Sequence, residues 1–151
     1  MDSTIESIAM CILNERTYFG LNVIVEVCGR EEGFLDKGSY YEAEIVFPIK
    51  YHNRYIVTYR NLLKEDQSGP LTAMVRPEDL RPLQPTIPVP ATGFDFYDRV
   101  DAFDNGGWWV GMVTVKDGSN YRVCFEHNNT ENTYPISQLR VHKEFINGQW
   151  V

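Results

Sequence analysis

One ordered series of short β-prone phrases occurs twice along this chain, so it is expected to fold as two copies of one small unit. The first pass runs Val25-Glu26-Val27, Tyr40-Tyr41-Glu42-Ala43-Glu44-Ile45, Tyr55-Ile56-Val57-Thr58-Tyr59 and Asp79-Leu80-Arg81. The second runs Val100-Asp101-Ala102, Trp108-Trp109-Val110-Gly111-Met112-Val113, Tyr121-Arg122-Val123-Cys124-Phe125 and Gln138-Leu139-Arg140. The offset between matched landmarks falls from 75 residues at Val25/Val100 to 68 at Tyr41/Trp109, 66 at Tyr59/Phe125 and 59 at Leu80/Leu139. Strands agree and connections do not, the pattern left when two copies keep a scaffold and vary their loops.

Units of about 60 residues bury limited surface, so the two are expected to pack together. With 43% hydrophobic and 23% charged residues the 151-residue chain has an ordinary globular composition. Its formal net charge of −7 argues against a nucleic-acid groove, which requires a basic surface to displace counterions. The same charge favours a basic partner drawn by long-range attraction. Cys11, Cys28 and Cys124 are odd in number and lack CxxC spacing, which suggests neither a disulfide framework nor a zinc site and fits a reducing compartment. His52, His127 and His142 are scattered, so no metal or other cofactor is expected. Asn128-Asn129-Thr130 matches the glycosylation sequon, but the acidic start at Asp2 and Glu6 is unlike a secretory signal, so the match is treated as coincidence. No apolar run approaches the ~20 residues of a membrane span.

Residues 1–17 form an N-terminal extension in which Ile5, Ile8, Ala9, Ile12 and Leu13 recur near helical spacing, as in either a short docked helix or a disordered lead-in. The first unit is placed at 18–84 and the second at 94–151. Between them, at 85–93, lies a proline-rich linker; Pro82, Pro85, Pro88 and Pro90 stiffen the chain toward an extended form. Pro77-Glu78-Asp79-Leu80 suggests a single helical turn, and Asn147-Gly148 a hairpin turn. About five short, curved strands per unit suggest small SH3-like barrels. The ending at Trp150-Val151, without a tail, is expected of a piece of a longer protein.

No GxSxG, HExxH or Walker loop is present, and no cysteine has an evident histidine partner, so the chain is not expected to be an enzyme. The matched aromatics point elsewhere. In a small barrel, a residue just after the first strand, one in the second and one ending the third converge at one open end. In the second unit these are Phe103, Trp109 and Phe125. Ring faces set around a point attract a methylated ammonium by cation–π interaction, worth about 0.5–2 kcal/mol per ring. In the first unit the equivalents are Cys28, Tyr41 and Tyr59, with Asp66 in the following loop able to supply a carboxylate wall. Against this stands the ordinary use of barrel aromatics as core or as a seam between barrels. Adjacent residues of a strand face opposite ways, however, so one of each pair Tyr40/Tyr41 and Trp108/Trp109 faces away from its own core. Glu31, Glu32, Asp36, Glu65 and Asp66 form either an acidic trough for a basic peptide or a solvated surface.

These phrases resemble the Agenet branch of the Tudor (Royal) superfamily arranged as a tandem pair. The likeness rests on Val25-Glu26-Val27-Cys28, Gly33-Phe34, Tyr40 to Ile45, Tyr55 to Tyr59, Leu62 to Asp66 and Asp79-Leu80-Arg81-Pro82. In the second copy it rests on Asp98 to Ala102, Gly107 to Val113, Tyr121 to Phe125 and Leu139-Arg140. It spans about residues 18–150 and is similar both to plant tandem Agenet proteins and to the N-terminal pair of the fragile X family. The resemblance implies an all-β chain of two SH3-like barrels in a nuclear protein. It also implies recognition of methylated lysine on a histone H3 tail, association with heterochromatin silencing and other chromatin partners. The family's cage positions fall on Phe103, Trp109 and Phe125 in the second copy, and on Tyr41 and Tyr59 with Asp66 in the first. Cys28 stands where an aromatic is expected; Phe34 or a linker ring is an alternative for completing that cage. The competing expectation is a structural protein–protein interaction module whose aromatics form the inter-barrel seam.

Overall fold

The structure, a computed structural model, describes residues 19–29 and 38–151. Glu31, Glu32, Asp36, Phe34 and the extension 1–17 lie outside the described residues. What is described is nearly all β, with single 3₁₀ turns at Lys50–His52, Pro77–Asp79 and Ile136–Gln138. Among the described residues, no helix is long and apolar enough to cross a membrane.

The strands fall into two series. The first is β1 (Ile24–Cys28), β2 (Ser39–Ile49), β3 (Arg54–Leu63), β4 (Pro70–Val75) and β5 (Leu80–Pro82). The second is β6 (Arg99–Asp104), β7 (Gly107–Asp117), β8 (Asn120–Phe125), β9 (Glu131–Pro135) and β10 (Leu139–Val141), followed by a small hairpin, β11 (Phe145–Ile146) and β12 (Gln149–Trp150). Each series has one order: the closing strand lies beside the first, then come the second, third and fourth. Hairpin connections and β-branched, alternating strands account for the antiparallel meander. The β11–β12 turn has Asn147 and Gly148 at φ 51° and 79°, the doubly left-handed turn that Asn-Gly favours.

Two compact units result, and they interleave along the chain. The described part of the first comprises 19–28, 41–83 and 145–151; that of the second comprises 29, 38–40 and 84–144. Strand β2 therefore begins in the second unit, where Ser39 and Tyr40 pair with Trp109 and Trp108, and continues in the first. Residues 145–151, which the sequence boundaries place with the second unit, group with the first.

The duplication reaches into fine detail. A bulge breaks the β2–β3 register between Ile45 and Phe47, and another breaks β7–β8 between Val113 and Val115. Such bulges bend a strand and let a short sheet curl. The backbone N–H of Phe19 donates to the Tyr55 hydroxyl at 3.3 Å, and that of Phe94 to the Tyr121 hydroxyl at 3.2 Å. In each case the two rings also meet edge-on. The second unit's core gathers Phe94, Val100, Ala102, Val113, Tyr121, Val123, Phe125, Tyr134 and Leu139.

The deepest repeat is ionic. Arg81 on β5 donates to Glu26 on β1 from Nη2 at 2.7 Å and Nε at 3.0 Å, with the Glu26 side chain wholly buried. Arg140 on β10 donates from Nε to Asp101 on β6 at 2.8 Å, and Asp101 too is wholly buried. Each guanidinium is covered by an indole, Trp150 at 4.8 Å over Arg81 and Trp108 at 4.3 Å over Arg140. Around Asp101 the network is larger: His142 Nδ1 lies 2.6 Å from Asp101 Oδ1 and Nε2 lies 2.7 Å from Glu144 Oε1. Burial alone would push the His142 imidazole down, but Asp101 and then Glu144 outweigh it and raise it above its ordinary value.

Removing one partner of a buried pair leaves an uncompensated charge, so Arg81→Met should destabilise the fold by about 3–5 kcal/mol in denaturant melts, and Glu26→Met/Arg81→Met should recover most of it. A single-variant loss below about 1 kcal/mol would contradict this account. Because the folded His142 is the stronger base, its contribution is fully present below the unfolded value of 6.5 and fades as pH rises through the raised folded value. Melting temperature should therefore fall from mildly acidic to alkaline pH, and His142→Gln should flatten that slope; an equal slope in the variant would refute the assignment.

Candidate functional site

In the second unit, register decides which rings meet. Ala102 pairs with Trp109 and Phe103 with Trp108, so Phe103 and Trp109 lie on opposite faces. Phe125 pairs with Gly111, which shares the face of Trp109. Gly111 is required there: a Cβ would come within 2.5 Å of Val123 Cγ1 and 2.7 Å of the Cys124 carbonyl oxygen. Phe103 instead packs edge-on against Trp108 at 5.0 Å, on the ring that covers Arg140. Of the expected trio, then, Trp109 and Phe125 come to one cluster and Phe103 goes to another.

The Trp109 cluster contains three groups that the repeat alone did not single out. The His127 ring lies 5.1 Å from Trp109 and 6.1 Å from Phe125, and Phe125 meets Tyr134 edge-on at 6.0 Å. Asp104 ties the cluster together, its carbonyl accepting from Trp109 Nε1 at 2.7 Å and its carboxylate from the Tyr134 hydroxyl at 2.7 Å. Phe125 and Tyr134 are buried, Trp109 is half-buried and His127 is exposed. The loop carrying His127 is closed locally: Asn129 N–H donates to the Phe125 carbonyl at 2.9 Å, and Asn128 Oδ1 accepts from the Thr130 hydroxyl at 2.7 Å. That local bond gives Asn128 a structural occupation. Burial, then the Asp104 hydrogen bond, push the Tyr134 phenol up to about 12. Chemically this is a partly open set of π faces beside a fixed carboxylate, suited to an organic cation.

In the first unit Tyr41 and Tyr59 meet edge-on at 6.4 Å and 86°, both on the face of Ala43 and Ile45. They are only 5% and 2% exposed, so this pair presents little ring surface. Burial, then the charge of Asp79, push the Tyr59 phenol up to about 12. Asp79 belongs to the Pro77–Asp79 turn and accepts from Arg76 Nε at 3.3 Å. Asp66 sits in the β3–β4 turn, where hydrogen bonding from the Ser68 side chain and then from its N–H, at 3.0 Å, holds the carboxylate below its usual range. Asp66 shares an open depression with Lys64 and Glu65.

Parity along the strands was the available clue to Phe103, since a residue adjacent to one on the core face must point away. Nothing in the sequence marked Asp104, His127 or Tyr134 as site residues, because their placement depends on long-range strand pairing. In a phenolate absorbance titration of the folded protein, Tyr59→Phe and Tyr134→Phe should each remove amplitude near pH 12, and loss of amplitude near pH 10 instead would contradict the burial argument.

Residues 23–85 match the family model of the Agenet domain. The chain is 36% identical over 91% of its length to Protein AGENET DOMAIN (AGD)-CONTAINING P1 of Arabidopsis thaliana, of which the match covers 26%. It is 32% identical over 85% of its length to DUF724 domain-containing protein 3 of the same plant, covering 19% of that protein. The chain therefore spans about a quarter or less of the length of these curated relatives. A crystal structure of AGD34 from Arabidopsis thaliana AGDP1 superposes with a TM-score of 0.77 at 26% identity, covering 100% of this chain and 97% of that one. The tandem Agenet domain 3-4 of ADCP1 superposes with a TM-score of 0.75 at 24% identity, covering 100% and 96%. With the Agenet match over the first copy, the doubled strand order and these tandem neighbours, the chain belongs to the Agenet-domain proteins and has the Tudor-like tandem Agenet fold.

Proposed function

We propose that this chain is a non-catalytic histone reader that captures a methylated lysine of an H3 tail in a nuclear, heterochromatin-silencing setting. The observation that carries the reading is the Trp109–His127–Phe125–Tyr134 ring set with Asp104 beneath it. Methylation strips donor hydrogens from the ammonium and lowers its hydration cost, so ring faces favour the methylated form. The second copy is the reading copy, because Trp109 retains accessible surface while Tyr41 and Tyr59 are buried. Phe103 serves the site indirectly, by bracing Trp108. Glu31, Glu32, Asp36, Glu65 and Asp66 belong to the acidic charge that draws the basic tail, consistent with the net charge of −7.

The burial of Tyr41, Tyr59 and Phe125 favours a second reading, an interaction module whose aromatics are structural. Calorimetric titration separates the two. The reader should prefer a methylated H3 peptide over its unmethylated match, and Trp109→Ala should lose about five- to thirtyfold in affinity for the methylated peptide alone. Equal affinity for both peptides, or an unchanged Kd in a less stable Trp109→Ala, would leave the structural reading standing.

A further inference from the structure

We propose that the turn Phe94–Asp98 is a second recognition surface, one that takes lysine or arginine side chains of a basic peptide irrespective of methylation. Phe96 is 56% and Tyr97 75% exposed, with the exposed carboxylates of Asp95 and Asp98 flanking them. The first copy provides an internal control, because it builds the same turn from Phe19-Gly20-Leu21-Asn22. Asn22 N–H donates to the Ile45 carbonyl at 2.8 Å, and Tyr97 N–H to the Val113 carbonyl at 2.8 Å. Both residues are left-handed, Asn22 at φ 61° and Tyr97 at φ 69°. Asparagine tolerates that region and a bulky tyrosine does not, so the backbone does not ask for Tyr97. The second copy has replaced Gly20, Leu21 and Asn22 by Asp95, Phe96 and Tyr97, which adds two rings and a carboxylate to an unchanged turn.

A cation already shows what the turn can seat. The Lys116 ammonium lies 6.0 Å over the Phe96 ring and 3.6 Å from Asp95 Oδ1. The first-copy equivalent of Lys116, by its pairing with Tyr121 as Pro48 pairs with Tyr55, is a proline. A partner's lysine or arginine meets the same ring-and-carboxylate chemistry, with Tyr97 as a further face, and the acidic chain attracts it.

The test is an amide NMR titration of the intact chain with a short unmethylated peptide of lysine, arginine and glycine. Shifts should concentrate at 94–98 and Lys116. The charge-neutral variants Phe96→Ala and Tyr97→Asn should each weaken binding about two- to fivefold. Tyr97→Asn should do so while keeping or raising Tm, since it restores the residue that the first copy uses. The probe carries no methyl group, so failure of the methyl-lysine reading stays distinguishable. Shifts confined to other surfaces, or an unaltered Kd in Phe96→Ala/Tyr97→Asn, would overturn the proposal.

Discussion

Each copy is closed by one buried acid–arginine pair. Strands β5 and β10 have three residues apiece, too few for ladder hydrogen bonds alone to fix them. Glu26–Arg81 and Asp101–Arg140 fix them with charge, and a wholly buried carboxylate cannot stand without its partner. The covering indoles keep water from the guanidinium, which strengthens the pair. Strand β6 carries β10 on one edge and β7 on the other, and the β6–β7 register separates Phe103 from Trp109. The Leu-Arg phrase at the end of each repeat is the sequence trace of this closure.

Much of the scaffold was legible because period-2 patterns and matched landmarks are local properties. Tyr41/Trp109 and Tyr59/Phe125, aligned by phrase, occupy equivalent register positions beside Ala43 and Gly111. The turn at Pro77 and the Asn147-Gly148 hairpin were legible for the same reason. Strand β3 runs on to Leu63 because the chain resumes pairing with β4, Leu63 opposite Pro70, beyond a register break after Thr58. The sites were less legible. Asp104 gathers Trp109 and Tyr134 from different strands, and His127 arrives on a loop, so neither has a neighbour in sequence that advertises it.

Where the copies differ, the differences are chemical more than architectural. Ala43 becomes Gly111, which admits a closer crossing of Val123. Tyr41 becomes a half-buried tryptophan, and the Asn22 turn becomes an exposed aromatic one. The first copy retains the more closed ring pair. The two copies share a scaffold and differ in the side chains it carries.

The interleaving of the units has a consequence for how such a piece can be cut or inherited. A break in the prolines at 85–93 divides the text of the chain evenly but not its folded parts. The first half would lose Trp150 from over Arg81, and the second would lose Ser39 and Tyr40 from beside β7. Each repeat holds a few residues on deposit in the other's stretch of sequence. The tandem, not the single repeat, is the module that recombination or an expression plasmid can move intact.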